Sequence, residues 1–137
     1  MNDKAIEQEI QAKGLTAPRV TPADLEANIA SEHYFTAADG YCGALVATEE
    51  FQSLPDDERL VVPPEPLDLL TFCVLVLKNG FTVTGESACA SPENFDAELG
   101  RKIARQNAVA KVWPLMGYAL KQQLHVAARD NISTADI

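Results

Sequence analysis

No apolar run in the 137-residue chain approaches the ~20 residues that a membrane-spanning helix needs. Cysteine is scarce: Cys42, Cys73 and Cys89 are odd in number and form no CxxC pair. That argues against a disulfide framework or a zinc ribbon and fits reduced thiols in a host-cell cytoplasm. The start, MNDKAIEQEIQAKG, is acidic and amphipathic, unlike a secretory signal. His33 and His125 stand far apart, outside any ligand-spaced cluster, so no metal and no other cofactor is expected. Walker, GxGxxG and GxSxG motifs are all missing, and with them the usual phosphate cradles and nucleophile elbows. The expectation is a protein that is not an enzyme.

Positive charge is also in short supply. Against 20 Asp and Glu stand 11 Lys and Arg, a net charge of −9, which argues against nucleic acid as a partner. The deficit is uneven, because residues 1–70 hold 4 basic and 14 acidic residues, whereas residues 71–137 hold 7 and 6. An anionic ligand is therefore sought in the second half. The acidity of the first half reads as a solubility feature.

What is present fits one domain over residues 1–137, with 47% apolar residues. Residues 1–36 read as N-terminal helices. The first spans about Asp3 to Lys13, stops at Gly14, and shows only Ile6 and Ile10 as an apolar stripe. So thin a stripe needs something to pack on, such as another subunit. The second opens at Thr21-Pro22 and carries Leu25 and Ile29 to an end near His33. Residues 37–67 read as an irregular or mobile segment, given Pro55, Pro63, Pro64, Pro66 and Asp56-Asp57-Glu58. Within it Gly40 to Gly43 resembles a turn, and Ala44 to Phe51 suits either a short helix or a strand.

Residues 68–126 carry the clearest signal, a β-hairpin feeding a long helix. Leu70 to Lys78 is rich in β-branched and aromatic residues, Asn79-Gly80 favours a type I′ turn, and Phe81 to Ser87 returns. A two-residue turn sets Lys78 opposite Phe81, Val76 opposite Val83 and Val74 opposite Gly85. The first strand is apolar on both faces, which places it centrally or covers it on both sides. Ser91-Pro92 reads as the helix start. Phe95, Leu99, Ile103, Ala110, Trp113, Leu120 and Leu124 read as its buried stripe, with a kink or short break at Pro114. Residues 127–137 read as a weakly patterned tail that frays. The fold class expected is α+β: a hairpin or small antiparallel sheet packed on a long kinked C-terminal helix, with short N-terminal helices. The thin first helix and the two-sided strand point to a homo-oligomer.

The candidate ligand site is Asn94, Arg101 and Arg105, with Phe81 nearby in sequence order. On a helical wheel each arginine falls about 20° from Asn94, on opposite sides of it. The first turn offers free N–H groups and a favourable dipole to an anion. Paired guanidiniums can grip phosphate, and Phe81 can stack on a base. The plainer alternative is that Arg101 pairs with Glu98 or with first-half acids, Arg105 is a solvated charge, and Phe81 closes the hairpin core. Cys89, ahead of a helix start, has no assignable general base.

The run from LTFCVLVLKNG through ESACASPENFDAELGRKIA to the later Trp113 resembles a family of small uncharacterised phage and prophage proteins. That family is named after gene product forty-nine of a short-tailed coliphage. The resemblance covers residues 68–124, and the segment from Val20 to Thr36 also fits. The chain also resembles the first class of phage Thoeris anti-defence proteins. That second resemblance implies a non-catalytic, oligomeric sponge for cyclic ADP-ribose-type signals, some members also taking cyclic oligonucleotides. It further implies an aromatic, an asparagine and paired arginines on the ligand, which here would be Phe81, Asn94, Arg101 and Arg105. The expected function is sequestration of a nucleotide immune signal. The alternatives are an adaptor that binds a host protein through its acidic first half, and a small enzyme using Cys89.

Overall fold

The computed structural model describes residues 2–135. Helix α1 spans Asp3–Ala12; Asn2 caps it by accepting the Ala5 N–H, and Gly14 leaves it with φ +66. None of its residues is buried. It rests on this chain through Trp113, whose Nε1–H donates to Asp3 Oδ2 at 3.0 Å, and through Arg19, which pairs with Glu7.

Helix α2 spans Pro22–Ala27 and opens with the expected proline behind a reciprocal Thr21–Asp24 capping box. It stops at Asn28, short of His33, and residues Ile29–Thr36 form strand β1 instead. The four-residue spacing of Leu25 and Ile29 suggested a helix. Pairing of Ser31, Glu32, His33, Tyr34, Phe35 and Thr36 with the next strand overrides it, as tertiary partners commonly do. Leu25 is carried into the core, at 1% exposure, and Ile29 packs against that core half-buried.

Residues 37–67 are more ordered than their prolines suggested. Helix α3, Ala37–Val46, runs through Gly40 and Gly43 where a turn was expected, started by a Thr36–Asp39 capping box. Helix α4 takes Glu49–Gln52, and tight helical turns form at Asp56–Glu58 and Glu65–Leu69. The Thr36–Asp39 capping box outweighs the cost of the two glycines in α3, and Thr48 caps α4 by accepting the Phe51 N–H.

Strands β2 (Leu70–Leu77) and β3 (Thr82–Ala88) complete an antiparallel sheet in the order β1-β2-β3. The hairpin is shifted by one residue from expectation: Leu75 faces Val83, Cys73 faces Gly85 and Val76 faces Thr82. Leu77 N–H donates to Phe81 O and Gly80 N–H to Leu77 O, so the loop is three residues, Lys78 to Gly80. Only Gly80 has positive φ, at +89; Asn79 does not, which excludes the type I′ turn. The central position of β2 matches its two-sided apolar pattern. Thr71, Cys73, Leu75 and Leu77 are buried on one face, and the other face is half-buried.

Helix α5, Ala97–Ala135, lies across the buried face. It starts five residues after Pro92, which belongs instead to a separate tight turn, Pro92–Asn94. It runs through Pro114 with no interruption and includes much of the expected tail. Its sheet-facing stripe is Gly100, Ala104, Ala108 and Val112, rather than Leu99 and Ile103, which are 53% and 39% exposed. Small side chains win that face because the helix approaches the sheet closely. A Cβ at Gly85 would overlap the Ala104 carbonyl oxygen and the Ala108 nitrogen. Among the described residues no helix is long and apolar enough to cross a membrane.

Candidate functional site

The start of α5 is set by Asp96. Its carbonyl accepts the Gly100 N–H at 2.9 Å and its Oδ1 accepts the Leu99 N–H at 3.0 Å, an N-cap in the full sense. Phe95 just before it is extended, with φ −68 and ψ 125, and so separates Asn94 from the helix. Asn94 therefore does not share a helical face with Arg101 and Arg105. The wheel geometry assumed one continuous helix from Pro92, and the chain breaks at Phe95.

Arg101 and Arg105 do lie one turn apart on α5, in different circumstances. Arg105 is engaged within the fold: Nη1 and Nη2 donate to the two Glu26 oxygens at 3.1 and 2.7 Å, and Nε donates to Glu32 Oε2 at 3.0 Å. The fork on Glu26, reinforced by Glu32, raises the guanidinium pKa further against the opposing cost of burial. Tyr34 O–H donates to Glu32 Oε1 at 3.1 Å, extending the network into β1. Arg105 thus pins α5 to α2 and β1, the pairing with first-half acids that was foreseen for Arg101.

Arg101 makes no ion pair among the described residues; it is Lys102, its neighbour, that pairs with Glu98. It stands exposed at the rim of a small pocket, about 110 Å³, whose walls include Tyr34, Phe35, Asp39, Thr71 and Phe95. Both α3 and α5 begin at this pocket, so the positive ends of two helix dipoles meet there. Asp39 offsets part of that charge, although its Oδ2 is occupied by the Thr36 N–H at 2.9 Å. Thr71 forms the floor. It is 3% exposed and makes no side-chain hydrogen bond among the described residues. Every fully enclosed polar side-chain atom there is paired, so the Thr71 hydroxyl keeps an opening onto the pocket.

Phe81 is 56% exposed beside the hairpin loop and does not close the core. Gly100 packs on Thr71, which pairs with Ser87, so most of strand β3 separates Phe81 from the Arg101 turn. At ~3.3 Å per residue that is roughly 20 Å. One chain does not bring Phe81 to the arginine pocket.

Cys89 Sγ lies 3.2 Å from the Ser91 carbonyl oxygen. Among the described residues no three metal-ligating side chains cluster. The sequence reading missed Thr71, Tyr34 and the Glu26–Glu32 clamp, all of which depend on pairings distant in sequence. The capping role of Asp96 was within reach of the sequence, since aspartate immediately ahead of a helical run is a favoured N-cap.

The whole is a small α+β protein, a three-stranded antiparallel sheet under one long helix whose start carries an anion-compatible aromatic pocket. The chain belongs to the phage protein family described as N4 Gp49/phage Sf6 gene 66, whose model matches residues 20–124. Among curated proteins and among solved structures none matches it. The match takes in every element from α2 into α5 and leaves out α1.

Proposed function

We propose that this phage-family protein binds an anionic nucleotide-type ligand without turning it over, and so withdraws a host immune signal. Cyclic ADP-ribose-type molecules are the first candidates and cyclic oligonucleotides the second. The observation that carries the reading is Arg101, a cation with no ion pair among the described residues, beside a pocket walled by Tyr34 and Phe95. Guanidinium suits a phosphate, and aromatic walls suit a base or ribose edge. Arg105 is assigned a positioning role, because its donors are already directed to Glu26 and Glu32. The sequestration part of the proposal comes only from the sequence resemblance to Thoeris anti-defence proteins.

Titration calorimetry against cyclic ADP-ribose isomers and cyclic di- and trinucleotides tests it, followed by heat denaturation and analysis of the released ligand. Intact ligand after release is the expected result. Altered ligand would instead make the protein an enzyme, and no binding by any panel member would remove the nucleotide reading.

A second reading, an adaptor for a host protein, is favoured by a different observation. Leu60 and Val62 are 78% and 73% exposed, next to the acidic Asp56-Asp57-Glu58 turn. Apolar side chains so fully exposed to water in an acidic surround fit a protein contact. Loss of host-protein capture by the full chain carrying Leu60→Ser and Val62→Ser would support that reading over ligand binding.

A further inference from the structure

The two edges of the sheet are treated differently. Along β3 the backbone groups of Thr84 and Glu86 point away from β2, and α5 covers their carbonyls. Lys111 Nζ donates to Thr84 O and Asn107 Nδ2 to Glu86 O, each at 2.7 Å. A strand approaching that edge meets side chains first.

Strand β1 has no such cover. Leu77, Leu75 and Cys73 bond to β3, so the alternate residues Val76, Val74 and Phe72 bond to Ser31, His33 and Phe35 of β1. The N–H and C=O groups of Ala30, Glu32 and Tyr34 therefore point outward. Among the described residues no helix, loop or side chain takes them. The strand has no proline or lysine, and its one irregularity falls at its start, between Ile29 and Ser31. Glu32, the charge that could guard the edge, is drawn to Arg105 and Tyr34.

We infer that β1 pairs antiparallel with β1 of a second copy of this chain, about a two-fold axis through His33. The register follows from charge. Through His33, each Glu32 lies opposite the second copy's Tyr34, joining the same acceptor and donor that already meet within one strand. Shifting the axis to Glu32 puts two carboxylates directly opposite, which is unfavourable. Shifting it to Tyr34 shortens the ladder. The His33 register is also isologous, with each Ser31 opposite the second copy's Phe35. The result is a continuous six-stranded sheet with both long helices on one face. Arg101 takes no part in this pairing, although Tyr34 and Phe35, which line the Arg101 pocket, lie in the paired strand.

His33 is exposed and its only side-chain hydrogen bond among the described residues is with Ser31 Oγ, at 3.0 Å, so a single copy tolerates its replacement. Light scattering on the full chain is expected to give a two-chain species. His33→Lys and His33→Glu should each be monomeric with unchanged circular dichroism, since each places like charges across the axis. Mixing the two variants one to one should restore the two-chain mass. A wild-type monomer at every concentration overturns the inference, as do charge variants that associate like the wild type. A mixture that remains monomeric also overturns it.

Discussion

Gly85 of β3 lies directly beneath the backbone of Ala108 on α5, so close that no side chain fits between them. That contact fixes the height of the helix above the sheet, and the stripe Gly100, Ala104, Ala108, Val112 follows from it. Gly85→Ala must lift the helix or bend the strand, because the obstacle is backbone rather than a flexible side-chain end. A loss of at least ~2–3 kcal/mol is expected, at the upper end for added core volume. Urea unfolding of the variant measures it, and a change under half a kcal/mol would contradict so tight a contact.

Arg105 is clamped by Glu26 and Glu32 at the surface, with its side chain 30% exposed and the two glutamates 55% and 40%. Partial exposure discounts the pair, so Arg105→Ala should cost only about 1 kcal/mol. Arg105→Lys should recover little of that, since an ammonium cannot make the fork. If ligand is bound through Arg101, Arg101→Ala should abolish binding at unchanged melting temperature. Arg105→Ala should lower both. Equal affinity in wild type and Arg101→Ala would remove Arg101 from the site.

Tyr34 has its pKa pushed up to about 12, first by burial and then by the neighbouring Cys73 and Glu32. The folded state therefore holds the phenolic proton more tightly than the unfolded chain does, whose tyrosine titrates near 10. The stabilising contribution is complete below about pH 10 and is lost as pH rises through about 12. Unfolding curves between these limits should fall more steeply for wild type than for Tyr34→Phe. Parallel curves would show that Tyr34 is not held neutral by the fold.

Burial also pushes the Cys73 thiol up, and its side chain has no exposed surface, whereas Cys42 and Cys89 are partly accessible. Alkylation of the native protein near pH 8 should modify Cys42 and Cys89 first, with Cys73 reacting only as the protein unfolds. Peptide mass spectrometry gives the order directly.

Much of the fold was legible because it rests on local chemistry. The Thr21-Pro22 cap, the Gly14 stop and the apolar β2 segment each act within a few residues. The hairpin register was misread by one because Asn79-Gly80 suits two loops, and only the Leu77–Phe81 pairing chooses the three-residue one. Strand β1 was hidden because Leu25 and Ile29 carry a helical spacing by coincidence, and its partners lie some forty residues on. The apolar stripe of α5 was misplaced for a reason of size. Large residues were assumed to face the core, yet the sheet accepts only small ones where Gly85 admits the helix. At the site, Arg101 and Arg105 were legible as a pair. Their division of labour was not, because it depends on Glu26, Glu32, Tyr34 and Thr71 arriving from distant segments.

Helix α5 has 39 residues, so at ~1.5 Å per residue it extends about 58 Å, over twice the roughly 26 Å of an eight-residue strand. Its first half is nucleated by Asp96 and seated on the sheet, with Ala104, Ala108 and Val112 fully buried, whereas along residues 121–131 every residue but Val126 is exposed. Every later turn is propagation from a nucleus already in place, which costs far less than starting a helix anew. The helix therefore behaves as a zipper fastened at one end. Opening runs inward from the far terminus, and amide exchange should slow progressively from Arg129 toward Val112, where the sheet takes hold.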